Sequence, residues 1–118
     1  MGADVLIVDD SELMRGMLRE IVSDRFTVVD EAENGKEAVE KVLAASPTVV
    51  LMDMVMPEVD GVEATGVIKR RKPEIQIVFC TSVDQQSRMR DAIDAGADGY
   101  VLKPFEEEMI VEAIEDVI

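Results

Sequence analysis

Apolar residues gather along this chain in two ways, as unbroken runs and as stripes recurring every three or four positions. Residues 5–8 (VLIV) and 49–52 (VVLM) are runs, and 75–80 (IQIVFC) is one but for Gln76. A continuous apolar run of this length predicts a strand covered on both faces. Between the runs lie stripes with the spacing of one helical face. They are Leu13, Met14, Met17, Leu18, Ile21 and Val22; then Ala38, Val39, Val42 and Leu43; later Met89, Ala92 and Ile93; and finally Met109, Ile110, Ala113, Ile114 and Val117. Residues 26–32 and 100–102 predict two further strands of more polar character.

Boundaries are marked by residues with local hydrogen-bonding chemistry. Ser11 is placed to cap the first helix. Asn34 with Glu37 three positions on resembles a capping box, and Asp60 with Glu63 repeats the spacing. Pro47 closes the second helix's connection, and Gly96 stops the fourth helix. The third helix ends in Lys69-Arg70-Arg71-Lys72 before Pro73, basic residues that suit the negative end of a helix dipole. An exposed, dipole-matched terminus explains these four better than a docking patch does.

Strand–helix alternation, five times over, predicts an α/β fold with a doubly wound parallel sheet and helices on both faces. The first, third and fourth strands are the most apolar. The second and fifth carry polar residues and suit the edges. That favours the strand order 2-1-3-4-5, flavodoxin-like, with the first and third strands side by side at the switch point where such sheets bind ligands. No linker or repeat interrupts the 118 residues, so a single domain over 1–118 is expected.

Composition narrows the partners. The chain is 47% hydrophobic, enough for a real core, yet has no run near the roughly 18 apolar residues of a membrane span. No basic-then-apolar leader opens it, so a cytoplasmic location is the expectation. One cysteine, Cys80, allows no internal disulfide; with no histidine, zinc is a poor fit. The net charge of −14, from 26 acids against 12 bases, would repel nucleic-acid phosphates. Such acidity also suits a high-salt cytoplasm, where screening removes self-repulsion. The protein is accordingly expected to melt at higher temperature in concentrated KCl than in dilute buffer; no gain with salt would count against this.

The chemistry-bearing residues fall at one end of the predicted sheet. Asp9 and Asp10 follow the first strand, Asp53 the third, Thr81 the fourth and Lys103 the fifth. Each alone has a structural excuse as a cap, a turn or a surface charge. Three acids, a hydroxyl and an amine on one rim are harder to excuse. Clustered carboxylates repel one another, and a hard divalent cation relieves that; magnesium suits a site with few carboxylates and several waters. Lys103 offers a compact positive charge to phosphoryl oxygens, and the Thr81 hydroxyl a hydrogen bond. Asp53, deepest in an apolar run, is the best candidate nucleophile, its attack on phosphorus giving an acyl phosphate.

Asp9-Asp10, Asp53 followed by Met56-Pro57 and Asp60-Gly61, then Thr81, Tyr100 and Lys103-Pro104, resemble the receiver domains of two-component response regulators, over the whole chain. That family has the strand order already inferred, so pattern and resemblance are not independent witnesses to it. With no output domain, the chain resembles a stand-alone chemotaxis regulator of the CheY type. Ser11, Met14-Arg15 and Gln85-Gln86 look like archaeal and some bacterial versions. The resemblance implies a phosphorylation-dependent switch and not an enzyme with an external substrate. Asp53 would accept a phosphoryl group from a sensor histidine kinase (CheA-like) or from acetyl phosphate. Mg2+ would be held by Asp10, Asp53 and the Val55 carbonyl, with Asp9 acting through a water. Thr81 and Lys103 would grip the phosphoryl group, and Tyr100 would swing inward behind Thr81. The face of the fourth helix, fifth strand and fifth helix would then change its affinity for a motor or adaptor protein. No nucleic acid and no membrane insertion are implied.

Two departures stand out. Ser82 replaces the alanine more usual after the threonine, and Val55 and Val83 are apolar where the family tunes water access. The clustered methionines Met52, Met54 and Met56 read as packing material, not a sulfur ligand set. Other readings fit less well. A phosphatase of the haloacid dehalogenase type resembles Asp-x-Asp, but Val55 stands where its general acid belongs. Flavodoxin shares the fold, but Asp9-Asp10 would repel a flavin phosphate. A phosphate sink or docking-only receiver is the remaining alternative, although all five site residues are in place.

Overall fold

The computed structural model describes residues 3–82, 87–104 and 106–118. Ten elements alternate strictly: β1 (Asp4–Val8), α1 (Glu12–Ser23), β2 (Thr27–Ala32), α2 (Gly35–Ala45), β3 (Val49–Asp53), α3 (Gly61–Arg71), β4 (Gln76–Thr81), α4 (Met89–Ala95), β5 (Gly99–Leu102) and α5 (Glu107–Val117). All five strands pair in parallel in the order β2-β1-β3-β4-β5, the order expected from strand polarity. Among the described residues no helix is long and apolar enough to cross a membrane.

The unbroken runs are explained by the two-sided core. Leu6, Val8, Val50, Met52, Ile77 and Phe79 point to one face and pack with Ala38 and Val42 of α2 and Ala64 and Ile68 of α3. Their strand neighbours Val5, Ile7, Val49, Leu51, Val78 and Cys80 point to the other, against Leu18 and Val22 of α1 and Ile110 and Ile114 of α5. A period of two cannot show in sequence when both faces are apolar. The edge strand β2 is mostly exposed, and its alternation breaks at Val29–Asp30, where its register against β1 slips by one residue between Val5 and Leu6.

The caps lie where the sequence placed them. The Ser11 Oγ accepts from the Met14 N–H at 3.2 Å, Asn34 Oδ1 from Glu37 N–H at 2.8 Å and Asp60 Oδ1 from Glu63 N–H at 2.9 Å. Each satisfies one of the orphan donors of a first helical turn. At the basic end of α3, Lys69 is an ion-pair partner, with Nζ 2.7 Å from Asp98 Oδ2, while Arg70 and Arg71 are exposed. Five stripe residues are corrected. Leu13, Met17, Leu43, Ile93 and Met109 lie on exposed positions, Leu13 at 77%. Apolar spacing marks a face wider than the arc that these helices bury. On α1 the position beside the stripe, Arg15, is tucked inward instead, at 14% side-chain exposure.

Candidate functional site

The parallel sheet delivers its strand ends to one rim. Asp53 is the last residue of β3, paired in register with Cys80 of β4, and Thr81 follows Cys80 as the last residue of β4. Lys103 comes directly after β5, and its N–H donates to the Thr81 carbonyl at 2.6 Å. Asp9 and Asp10 come directly after β1, which lies beside β3. Sequence positions 9, 10, 53, 81 and 103 are thereby gathered by topology alone.

Carboxylate oxygens of Asp9, Asp10 and Asp53 lie within 4.8 Å of one another. Asp9 and Asp53 are buried while Asp10 is exposed. The Lys103 ammonium donates to Asp53 Oδ1 at 3.4 Å and lies 3.7 Å from Asp9 Oδ2. One lysine among three acids leaves the cluster with excess negative charge. Burial, then the neighbouring Asp9, pushes the Asp53 carboxyl up from 3.8 to about 6, against the pull of Lys103. Burial likewise raises Asp9; the Ser11 N–H and Lys103 oppose it, and Asp10 adds to it. Burial alone would lower the Lys103 ammonium, but Asp53 and Asp9 outweigh it and hold it above its ordinary value. These shifts share one cause, anions held close together away from water.

The residues fit a hard cation. Asp9 Oδ1 accepts from the Ser11 N–H at 2.9 Å, whereas Asp9 Oδ2 is buried and makes no hydrogen bond among the described residues. A buried carboxylate oxygen without a donor is costly unless something else meets it. An all-oxygen set of three carboxylates has the chemistry magnesium accepts.

Thr81 is fully buried, with Oγ1 in contact with Met54 Sδ at 4.0 Å and the Ser82 carbonyl at 3.4 Å. Val55 sits two residues past Asp53 in the β3–α3 loop, 46% exposed. Tyr100 lies on the edge strand of the sheet at 54% exposure. It lines an open groove of about 420 Å³ between β5 and α5, with Met109 and Val117 and the acids Asp98, Glu112 and Asp116. Val83, Gln85 and Gln86 lie outside the described residues.

Two features of the site escaped the residue pattern. Arg15 donates to the Asp9 carbonyl at 2.6 Å. Gly61, the first residue of α3, packs its α-carbon against the Asp53 carbonyl, where a β-carbon would lie 2.1 Å away. The first could be suspected from a charged residue beside an apolar stripe; for the second the signal is only Asp60-Gly61 after a strand.

The family model described as response regulator receiver domain matches residues 5–115. The chain is 50% identical over 118 residues to chemotaxis protein CheY of Halobacterium salinarum, covering 100% of this chain and 98% of that protein. It is 44% identical over 119 residues to chemotaxis protein CheY of Bacillus subtilis, at 100% and 99% coverage. Among solved structures, chemotaxis protein CheY4 of Vibrio cholerae superposes with a TM-score of 0.91 at 28% identity, covering 100% of both chains. A CheX–CheY–BeF3–Mg complex from Borrelia burgdorferi gives a TM-score of 0.90 at 26% identity, covering 98% of this chain and 88% of that one.

Proposed function

This chain belongs to the response regulator receiver domain family, and from that premise we propose that Asp53 is its phosphoacceptor in a chemotaxis switch. The observation that carries the proposal is the buried Asp53 carboxylate, with two acids within 4.8 Å and one lysine on its own oxygen. The donor is a histidine kinase of the CheA kind, or acetyl phosphate. An Asp53 carboxylate oxygen attacks phosphorus, forming the acyl phosphate O–P bond. The P–N bond of the phosphohistidine breaks, and its electron pair returns to the imidazole. With acetyl phosphate a P–O bond breaks instead and acetate leaves.

Asp9, Asp10, Asp53 and the Val55 carbonyl would hold Mg2+, which when bound neutralises the cluster and lets an anionic donor approach. Lys103 and Thr81 hold phosphoryl oxygens, and Lys103 thereby changes partners, from two carboxylates to a phosphoryl group. Its neighbour across the strand ends, Thr81, moves with it through the bond from Lys103 N–H to the Thr81 carbonyl. Tyr100, now exposed, is the residue that follows Thr81 inward. The groove behind Tyr100 changes shape, and so does its affinity for a downstream motor or adaptor protein. Acids on its rim favour a partner with cationic side chains. Energetically this is a population shift between two arrangements, biased by the added phosphoryl charge. The protein is a signalling switch that acts in the cytoplasm, and its chemistry is confined to its own carboxylate.

Incubation with Mg2+ and acetyl phosphate is expected to add one phosphoryl group to the wild type and none to Asp53→Asn, read by intact mass. An adduct that survives the substitution would refute the assignment; no adduct on the wild type would leave a docking-only module. A second expectation concerns lifetime. Val55 is half exposed beside the acceptor, and its apolar side chain offers an attacking water no hydrogen bond. Val55→Asn should shorten the life of the phosphorylated form; an unchanged decay rate would refute the role.

A further inference from the structure

We propose that Arg15 is a positioning residue, a fork that fixes the turn after β1 so that Asp9 and Asp10 face a divalent cation. The inference rests on the reading of this rim as the metal and phosphoacceptor site, and extends it to residues that would hold neither the cation nor the phosphoryl group.

Asp9 has four polar atoms, and three are tied to different parts of the fold. Its N–H donates to the Ala32 carbonyl of β2 at 3.1 Å. Its Oδ1 accepts from the Ser11 N–H within its own turn. Its carbonyl accepts from Arg15 Nη1 of α1 at 2.6 Å. Only Oδ2 is left over, buried and on the Lys103 side. Two of the three ties are made by backbone, so the Arg15 bond is the one that a side-chain substitution can remove.

Arg15 is itself held. Its Nε donates to Glu31 Oε1 of β2 at 3.2 Å, and the other Glu31 oxygen pairs with Arg19 one turn along α1. The guanidinium is therefore a bridge between edge strand, helix and turn, at 14% side-chain exposure. A planar fork can serve both acceptors at once, while a lysine offers one ammonium and would have to choose. Backbone orientation at Asp9 governs the Asp9–Asp10 peptide, and with it where both carboxylates point. Groups that orient metal ligands from behind commonly govern affinity as strongly as this.

The test is Mg2+ binding by titration calorimetry on the full chain, with adduct formation from acetyl phosphate followed against Mg2+ concentration in parallel. Arg15→Ala should weaken Mg2+ binding by about tenfold, the scale seen for such outer partners. The adduct rate at saturating Mg2+ should be largely kept. Arg15→Lys should recover only part of the loss. Glu31→Ala, which touches no ligand, should shift Mg2+ binding in the same direction, and the double variant should be no worse than Arg15→Ala. A merely structural arginine would lower the melting temperature and leave the Mg2+ affinity where it was. Unchanged Mg2+ affinity in Arg15→Lys and Glu31→Ala would overturn the proposal even if Arg15→Ala does not fold. Wild type that binds Mg2+ but forms no adduct would refute the reading of Asp53 alone; wild type that binds no Mg2+ would refute both.

Discussion

Asp53→Asn is expected to stabilise the metal-free protein at neutral pH, although it removes the proposed phosphoacceptor. The Asp53 carboxyl is raised from 3.8 to about 6, chiefly by burial and then by Asp9. Between those two values the folded chain binds a proton that the unfolded chain has released. Stability contributed by this group therefore falls as pH rises through the window from 3.8 to about 6, and the penalty is complete at pH 7. Roughly two pH units at about 1.4 kcal/mol each put that penalty at the order of 3 kcal/mol. Asparagine keeps the shape and removes the charge.

The gain is reduced by what Lys103 loses. Its ammonium is held above its ordinary value by Asp53 and Asp9 together, and this contribution is fully present at neutral pH. Without the Asp53 charge, Asp9 at 3.7 Å remains as partner. A net gain of about 1–3 kcal/mol at pH 7 in EDTA is the expectation, shrinking towards pH 4, where wild-type Asp53 is itself protonated. Comparing the two proteins at each pH cancels the acids remote from the cluster, which titrate alike in both; Asp9, coupled to Asp53, does not cancel. Added Mg2+ should reverse the ranking, because the ion gains more from three carboxylates than from two. Urea melts of both proteins at two pH values, with and without Mg2+, read all of this. Asp53→Asn less stable than wild type in EDTA at pH 7 would show that the cluster is not under the strain its burial implies.

Most of this site could be read from the sequence because parallel sheets turn sequence order into spatial order. A residue just past an apolar run must sit on the rim, so Asp9, Asp10, Asp53, Thr81 and Lys103 converge without any knowledge of side-chain contacts. The polarity of residues 26–32 and 100–102 gave the two edges in the same way. What could not be read depends on contacts between elements. Leu13 and Met17 fit the α1 stripe by spacing and yet face outward, since spacing gives a direction but not the width of the buried arc. The Arg15–Glu31 pair joins a helix to a strand 16 positions on, and nothing local in either segment announces it. Tyr100 has a position but not a state: its place on β5 was legible, its exposure was not. Gly61 reads locally as a turn glycine, whereas its importance lies in what stands against it.

Gly61→Ala should be among the most damaging single-methyl additions this chain can receive, and Gly66→Ala, five residues along the same helix, should be beneficial. A β-carbon on Gly61 would lie 2.1 Å from the Asp53 carbonyl oxygen and 3.0 Å from Met52 Cγ. Carbonyl oxygen and glycine both belong to backbone that is pinned. The Gly61 N–H donates to the Met54 carbonyl at 3.0 Å, and Asp53 is held in register with Cys80 of β4, directly after Met52, which pairs with β1. The neighbouring chain cannot rotate away as a flexible side chain could, so either the start of α3 lifts or the end of β3 moves. Overpacking of this kind costs about 3 kcal/mol or more where backbone must shift. For a domain of this size that lowers the melting temperature by on the order of 10 °C. Displacing β3 moves the peptide of the proposed acceptor, so adduct formation at Asp53 should fall even below the melting temperature. At Gly66 the nearest atom to a β-carbon is Arg70 Nη1 at 4.0 Å, the end of a flexible side chain. There an alanine only restricts the unfolded chain and improves helix propensity, worth about 0.5–1 kcal/mol in the stabilising direction. Thermal melts of the two variants beside wild type decide the matter. Equal effects would mean that the tight approach behind Asp53 relaxes freely, and that the acceptor is not held from behind by the first residue of α3.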